Sequence, residues 1–151
     1  MPDALQLLRE DHNKVKQLFK EFEGAEEKQE KQRIANEALT ELEIHAEIEE
    51  EIFYPRMMKE PGVEDMMLEA EEEHLVAKNL IAELRSMRSV NERYEAKFKV
   101  LSEYVLHHIQ EEETEMFPKA AELGRDFLNE AGAEMSSRKM ELMQSGGVKR
   151  T

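Results

Sequence analysis

Histidine, glutamate and proline recur together in two halves of this chain. The repeated residues are His12 and His74, His45 and His108, Glu49 and Glu112, and Pro55 and Pro118, at offsets of 62, 63, 63 and 63 residues. Each half therefore carries two histidines and one glutamate. Two helical hairpins that each supply this set are what a symmetric site for two metal ions requires.

The elements that must position these residues are long helices. Apolar residues recur at alternating steps of three and four, which is typical of the seam of an antiparallel bundle. The pattern predicts helices at about residues 4–24, with Asp3 as N-cap, and at about 27–54, 64–88 and 91–117. We therefore predict an all-α fold, an up-down-up-down antiparallel four-helix bundle with an internal two-fold repeat, and the histidines and glutamates fall on its buried seam.

The turns place these residues at one height. Two residues of an antiparallel hairpin lie level when they are equidistant from its turn. The midpoints fall between residues 28 and 29 for His12 and His45, between Pro61 and Gly62 for Glu49 and His74, and at Asn91 for His74 and His108. All three midpoints lie in predicted turns, and Pro-Gly is the strongest turn signal of the chain. The six residues are thus predicted to converge on one layer.

The donor types suit a dinuclear centre. Imidazole is the commonest transition-metal ligand in proteins, and a carboxylate can bridge two cations. Two bridging glutamates and two histidines give each metal four protein donors, and an oxo or hydroxo bridge gives a fifth. One position on each metal stays open to dioxygen, peroxide, water or another small ligand. Nitrogen and oxygen donors without sulfur favour iron, with manganese as the second choice.

The two carboxylates also have a consequence for the protein without metal. Glu49 and Glu112 lie on an apolar stripe with no Lys or Arg at their level, and an unpaired interior carboxylate loses several kcal/mol of hydration. We expect the metal-free protein to hold a proton between these two carboxylates, with a raised pKa. A metal pair removes that need.

His107 and His108 compete for the ligand position on the fourth helix. The repeat aligns His108 with His45 and His107 with Ile44. We therefore predict His108 as the ligand and His107 beside the site or at a helix interface.

Three further side chains are candidates for the surroundings of the site. Glu71, three residues before His74, belongs to a solvated run or orients the His74 ring from outside. Lys78 is expected at the rim. Tyr104, one turn before His108, packs in the core or approaches the metals.

Composition restricts the class of protein. The chain has 151 residues, no cysteine and a formal net charge of −14, so thiolate metal sites are excluded and nucleic acid is a poor partner. We expect no membrane partner and no signal peptide, and hence a cytoplasmic protein, present as a monomer or weak homodimer.

The domain organisation is predicted to be simple. Residues 1–120 form the metal-binding domain, and residues 121–151 form a tail of the same domain. The tail contains a short helix at about residues 125–143, and we expect residues 146–151 to be disordered.

These motifs resemble the hemerythrin-like proteins, in particular the bacterial HHE cation-binding domains. The resembling segments are Glu10-Asp11-His12, His45-Ala46-Glu47-Ile48-Glu49-Glu50, Phe53 to Pro55, Glu73-His74, His108-Ile109-Gln110-Glu111-Glu112-Glu113 and Phe117-Pro118. They span about residues 3–120. The resemblance implies an up-down-up-down bundle with a non-haem diiron centre that binds dioxygen or related small molecules.

Two departures from the oxygen-carrying members bear on function. Those members have a second histidine one turn after the third-helix histidine, where this chain has Lys78. They also have an aspartate five residues after the fourth-helix histidine, whereas Glu112 lies four after His108; pairing Glu112 with His107 would restore the longer spacing. The resemblance therefore implies a more open centre, closer to relatives that serve iron handling, oxidant defence or sensing.

Three functions compete at this point. The first is a diiron protein that reacts with dioxygen, peroxide or nitric oxide, and whether it turns peroxide over is left open. The second is a non-enzymatic protein that binds, stores or senses oxygen or iron. The third is a structural bundle whose polar seam only fixes helix register.

Overall fold

The structure, a computed structural model, describes residues 2–148 and is helical throughout, with no strand in that range. The helices are α1 (Ala4–Gly24), α2 (Lys28–Ile48), α3 (Tyr54–Met57), α4 (Glu64–Ser86), α5 (Glu92–Glu111), α6 (Phe117–Glu122) and α7 (Arg125–Gln144). Two π-helical turns, π1 (Glu49–Phe53) and π2 (Glu112–Met116), join α2 to α3 and α5 to α6. The all-α class is confirmed, and none of the described helices is long and apolar enough to cross a membrane.

Side-chain caps explain where two of the helices begin. Asp3 accepts from the Gln6 N–H at 2.9 Å, and the Asp3 N–H donates to the Gln6 side chain at 2.9 Å, which makes a capping box at α1. Asn91 accepts from the Tyr94 N–H at 2.9 Å at the start of α5. The predicted turn before α4 contains Gly62 at φ +84°, a left-handed conformation that glycine adopts without strain.

The two π turns occur at equivalent positions of the repeat and have the same cause. Pro55 and Pro118 have no N–H, and a proline ring clashes with the carbonyl four residues earlier in an α-helix. The helix widens instead, so that the Tyr54 N–H donates to the carbonyl of Glu49, five residues back. The Phe117 N–H likewise donates to the carbonyl of Glu112. Each widened turn therefore begins at one of the two predicted bridging glutamates.

The core consists of two apolar clusters, one on each side of the predicted polar layer. The first core cluster includes Leu8, Ile48, Phe53, Met57, Met67 and Phe117. The second core cluster includes Val15, Phe19, Leu39, Ile81, Phe98 and Leu101. Within the second cluster the ring of Phe98 lies 4.2 Å from that of Phe22 and 5.7 Å from that of Phe19. The predicted site thus lies between two packed cores rather than at an end of the helices.

Helix α7 packs along α1 and α2 and closes the first core cluster. Its close approach depends on Gly132, where an added Cβ would lie 2.7 Å from backbone atoms of residues 2–4. The chain then turns, since the Gly147 N–H donates to the Leu142 carbonyl at 2.8 Å, and Val148 packs against the first core cluster. Disorder was expected for residues 146–151; the structure instead places residues 146–148 in this turn, and residues 149–151 lie outside the described range.

Candidate metal centre

The structure brings the six residues predicted from the repeat together in one layer. They form two groups of three, His12 with His45 and Glu112, and Glu49 with His74 and His108. In each group one ligand atom per residue lies within 4.8 Å of the others, and either group can hold a metal ion. Each glutamate joins the histidines of the other half of the repeat, so the halves interlock at the site. That the six residues bind metal stays a prediction.

Both glutamates reach from one group of histidines to the other. Glu112 Oε1 lies 3.1 Å from His12 Nε2, and Glu112 Oε2 lies 3.4 Å from His108 Nε2. Glu49 Oε1 lies 3.3 Å from His45 Nε2 and 3.1 Å from His74 Nε2. Both carboxylate side chains are fully buried. This is the position that a carboxylate bridge between two cations requires.

Several donor atoms in the layer have no hydrogen-bond partner. The buried atoms concerned are His45 Nε2, His108 Nε2 and Glu49 Oε2. A buried polar atom without a partner is destabilising by about 1–3 kcal/mol. A cation among these nitrogen and oxygen atoms would satisfy all three, so the residues fit a metal pair of the predicted kind.

Each of the four imidazole rings is fixed at Nδ1 by a carboxylate. The pairs are Glu113 with His12 at 2.6 Å, Asp11 with His45 at 3.0 Å, Glu50 with His74 at 2.8 Å, and Glu73 with His108 at 2.6 Å. When Nδ1–H donates to a carboxylate, Nε2 is left as the metal donor and the ring orientation is set. In all four rings Nε2 is the nitrogen that faces the glutamates.

The four carboxylates that hold the rings also obey the internal repeat. Asp11 and Glu73 are 62 residues apart, and Glu50 and Glu113 are 63 apart. Sequence reasoning missed these roles because acids are abundant throughout the chain, with 35 Asp and Glu residues. The available signal was the repeat itself, since each of the four adjoins a predicted ligand.

Two of these carboxylates are paired in turn with a lysine. Lys78 donates to Glu50 at 2.5 Å, and Lys139 of α7 donates to Asp11. Burial raises the pKa of Glu50, but His74 and Lys78 outweigh it and hold the pKa below its ordinary value. Asp11 behaves in the same way, since His45 and Lys139 outweigh its burial and lower its pKa. Both carboxylates therefore stay charged acceptors for their rings.

A phenol that sequence reasoning did not assign lies among the donor atoms. The Tyr54 hydroxyl donates to Glu112 Oε2 at 2.8 Å and lies 3.2 Å from both Glu49 Oε1 and His74 Nε2. Burial, reinforced by Glu112 and Glu49, raises the pKa of Tyr54 well above its ordinary value. The equivalent residue of the other half is Phe117, whose ring stacks on His12 at 5.8 Å. The phenol makes the two halves of the site unequal.

The structure decides the ambiguous residues. The side chain of His107 is 66% exposed and pairs with Glu111 at 2.6 Å, so His107 lies outside the layer. Glu71 is exposed, and the idea that it orients His74 is wrong because Glu50 does so. Tyr104 lines a cavity beside the histidines.

Protonation of the layer in the metal-free protein differs from the sequence expectation. Burial opposes a charged ring at His45, His74 and His108, but the neighbouring carboxylates outweigh it and raise each pKa, that of His108 to about 9. Glu112 has a pKa well below its ordinary value, because His108 and His12 outweigh its burial. The expected shared carboxylate proton is therefore wrong for Glu112: the protons reside on the imidazoles, which face the glutamates at hydrogen-bond distance.

A cavity of about 360 Å³ adjoins the histidine layer on the side of the second core cluster. The four imidazoles form its inner wall, and residues of α1, α2, α4 and α5 form its sides. It is the access route for a small molecule to the layer.

Comparison with known proteins agrees with this geometry. The family model for the hemerythrin HHE cation-binding domain matches residues 3–120. A crystal structure of a hemerythrin HHE cation-binding domain-containing protein from Mycobacterium kansasii superposes with a TM-score of 0.83 at 26% identity, covering 96% of this chain and 90% of that one. A curated Nostoc protein named DNA nickase is 30% identical over 111 residues, which are 74% of this chain but 31% of that protein's length.

Proposed function

This chain belongs to the hemerythrin HHE cation-binding domain family, and on that premise we propose that it is a non-haem diiron protein that binds or reacts with dioxygen, peroxide or nitric oxide. The carrying observation is the pair of interlocked groups, each with two histidines and one glutamate, whose carboxylates reach across both groups. A single metal ion would leave half of these donors without a partner.

The residues that would hold the metals are those of the two groups. His12 and His45 would hold one ion and His74 and His108 the other, with Glu49 and Glu112 shared between them. Donors of nitrogen and oxygen alone suit iron first and manganese second. When bound, such a pair supplies open coordination positions and two electrons for a small oxidant or diatomic ligand.

The chain itself contributes orientation and protons. The four Nδ1 carboxylates keep every Nε2 pointed inward, so no ring has to turn when a ligand arrives. Tyr54 holds a proton at its hydroxyl among the donor atoms, and its raised pKa keeps that proton in place in the metal-free protein. Preorganised donors of this kind favour fast reaction with a small ligand.

We also propose that the long helices form the up-down-up-down antiparallel bundle expected from the sequence. The convergence of six residues from α1, α2 with π1, α4, and α5 with π2 supports this arrangement, as does the packing of α1 on α2 and of α4 on α5. The monomeric or weakly dimeric state and the cytoplasmic location expected from the sequence belong to the same proposal.

We do not propose DNA as a partner, although the Nostoc relative is named a DNA nickase. The formal net charge of −14 repels phosphate. Roughly two thirds of that relative also lies outside the matched region, so its activity can reside in another part of the protein.

Peroxide consumption tests the reactive form of the proposal. Iron-loaded wild-type protein should consume hydrogen peroxide at neutral pH, and His74→Ala should reduce the rate by about a hundredfold or more, the size of effect seen when a preorganised group is removed. His107→Ala, which alters an exposed histidine outside the layer, should keep the wild-type rate. Equal rates in all three proteins would leave only the non-enzymatic alternative, the binding or sensing of oxygen or iron.

A further inference from the structure

The cavity beside the histidines is larger than the small ligands considered so far require. Its volume of about 360 Å³ equals roughly twelve molecules of liquid water, at about 30 Å³ each. Dioxygen, nitric oxide and hydrogen peroxide have only two heavy atoms. The volume instead falls in the range of about 300–1,000 Å³ that is typical of pockets for organic molecules.

The sides of the cavity are apolar. Its apolar lining residues are Val15, Leu42, Ala77, Ile81, Val105 and Ile109. Water in such a space has few polar partners, so an organic chain that displaces it is favoured by burial of its apolar surface. The side walls therefore select for hydrocarbon.

The inner wall is polar and has a different preference. It carries the imidazoles of the histidine layer, of which His45 and His108 have an unpartnered Nε2. A ligand that fills the cavity must consequently present a polar end to this wall and a hydrocarbon tail to the rest.

Charged side chains at the cavity are engaged with one another. Arg85 donates to Glu43 at 2.7 Å, and Lys78 donates to Glu50 at 2.5 Å. Since both cations already have carboxylate partners, the polar end of the ligand need not be an anion. A neutral oxygenated end group fits better than a carboxylate.

We propose that the cavity binds an aliphatic hydroperoxide of about ten heavy atoms, with its oxygens at the histidine wall and its alkyl tail along Leu42, Ile81 and Val105. This inference deepens the proposed function, on which it rests, by naming the substrate class of the same site. The tail length follows from the cavity volume, and the hydroperoxide end follows from the open metal positions.

Primary alcohols share the tail and one oxygen of such a ligand but cannot oxidise the metals, so they serve as probes. Calorimetric titration of the purified protein with 1-butanol, 1-hexanol and 1-octanol should show affinity rising about fourfold with each added CH₂, from burial of about 0.8 kcal/mol per methylene. Affinity should stop rising at about ten heavy atoms, when the cavity is full. An affinity independent of chain length would overturn the proposal.

One substitution made at two places on α5 supplies the matched control. Val105→Phe fills the cavity and should weaken 1-octanol binding by at least tenfold, whereas Val100→Phe lies on the surface, where Val100 is 55% exposed, and should bind as wild type. Should Val105→Phe lose its helical circular dichroism, Ala77→Leu in the cavity and Ala96→Leu on the exposed surface replace the pair. Equal binding by cavity and surface variants would contradict the assigned position.

Iron content measured on the same samples separates this inference from the proposed function. Protein with two irons that shows no chain-length dependence refutes the organic ligand alone. Protein that binds the alcohols but holds no iron refutes the diiron function and removes the reason for a hydroperoxide end group.

Discussion

The two nitrogens of each histidine in the layer have separate tasks. Nδ1 is bound to a carboxylate at 2.6–3.0 Å, while Nε2 faces the shared glutamates. Because the carboxylates fix both tautomer and ring angle, the donor geometry exists before a metal arrives. The four pairs follow the same repeat as the histidines, so the second layer of the site was duplicated with the first.

The shared position of the glutamates leads to a prediction about metal loss. Since Glu49 and Glu112 each approach both groups of histidines, either Glu49→Ala or Glu112→Ala should release both metals together. Metal analysis of the dialysed variants should then give occupancy near zero, with His107→Ala near wild type as the control. Loss of half the metal in either variant would mean that the glutamates do not bridge.

The phenol of Tyr54 is open to a clean substitution. Tyr54→Phe should fold and keep its iron, because Phe117 occupies the equivalent position of the other half. It removes an oxygen 2.8–3.2 Å from three donor atoms, so its absorption spectrum should change and peroxide consumption should fall by about tenfold or more.

Tyr104→Phe removes a phenol that lines the cavity outside the donor set and serves as the control. Identical spectra and rates for Tyr54→Phe and wild type would exclude the phenol from the site.

At the scale of the elements, the sequence predicted the helices well and the details of the second and fourth less well. Periodicity and the Asp3 cap located α1 at Ala4–Gly24 as expected, because local propensity and packing agree there. The repeat brought the six predicted residues to one layer. The π turns were not predicted, since one extra residue per turn leaves no distinct apolar pattern.

The missed role of Tyr54 follows from the π turn. In an α-helix of 3.6 residues per turn, Tyr54 would lie roughly 140° around the axis from Glu49. In the widened turn, residues five apart become neighbours, and the two side chains meet at 3.2 Å. The partners Lys139 and Val148 come from the C-terminal region, whose contacts with α1 no local pattern reveals.

Helix α7 gives a prediction on stability. Gly132→Ala should destabilise the protein by about 1–3 kcal/mol, the usual effect of overpacking, because the added methyl would meet backbone of residues 2–4 at 2.7 Å. Thermal melts measure this change. Gly24→Ala is the control, since no atom lies within 4 Å of its added Cβ. Equal melting temperatures would show that α7 does not press against the start of α1.

At the scale of the molecule, a fully polar layer divides the core into two apolar clusters. Such a layer is costly unless its groups are paired or bind a cation. In the metal-free protein the pairing is between charged imidazoles and carboxylates, whereas metal requires neutral imidazoles. Stability of the two forms therefore depends on pH in opposite ways.

The raised histidine pKa values set the direction for the metal-free protein. Stability from charged rings is fully present below their ordinary pKa of 6.5 and is lost as pH rises through the folded value, about 9 for His108. Stability from Glu112 is present above 4.5 and is lost as pH falls through its lowered pKa. The metal-free protein should be most stable between about pH 4.5 and 6.5.

Thermal melts of the metal-free and iron-loaded forms check this pH dependence. The difference between their melting temperatures should widen as pH rises from 6.5 to about 9, because only the metal-free form loses stability there. A difference that stays constant over this window would show that the layer is not organised around a cation.

The most direct test of the diiron assignment is metal analysis of aerobically purified, iron-reconstituted protein together with its optical spectrum. Two interlocked groups of donors predict two irons per chain, with ligand-to-metal charge-transfer bands in the near ultraviolet. A colourless protein that holds one zinc per chain after reconstitution with iron would contradict the assignment.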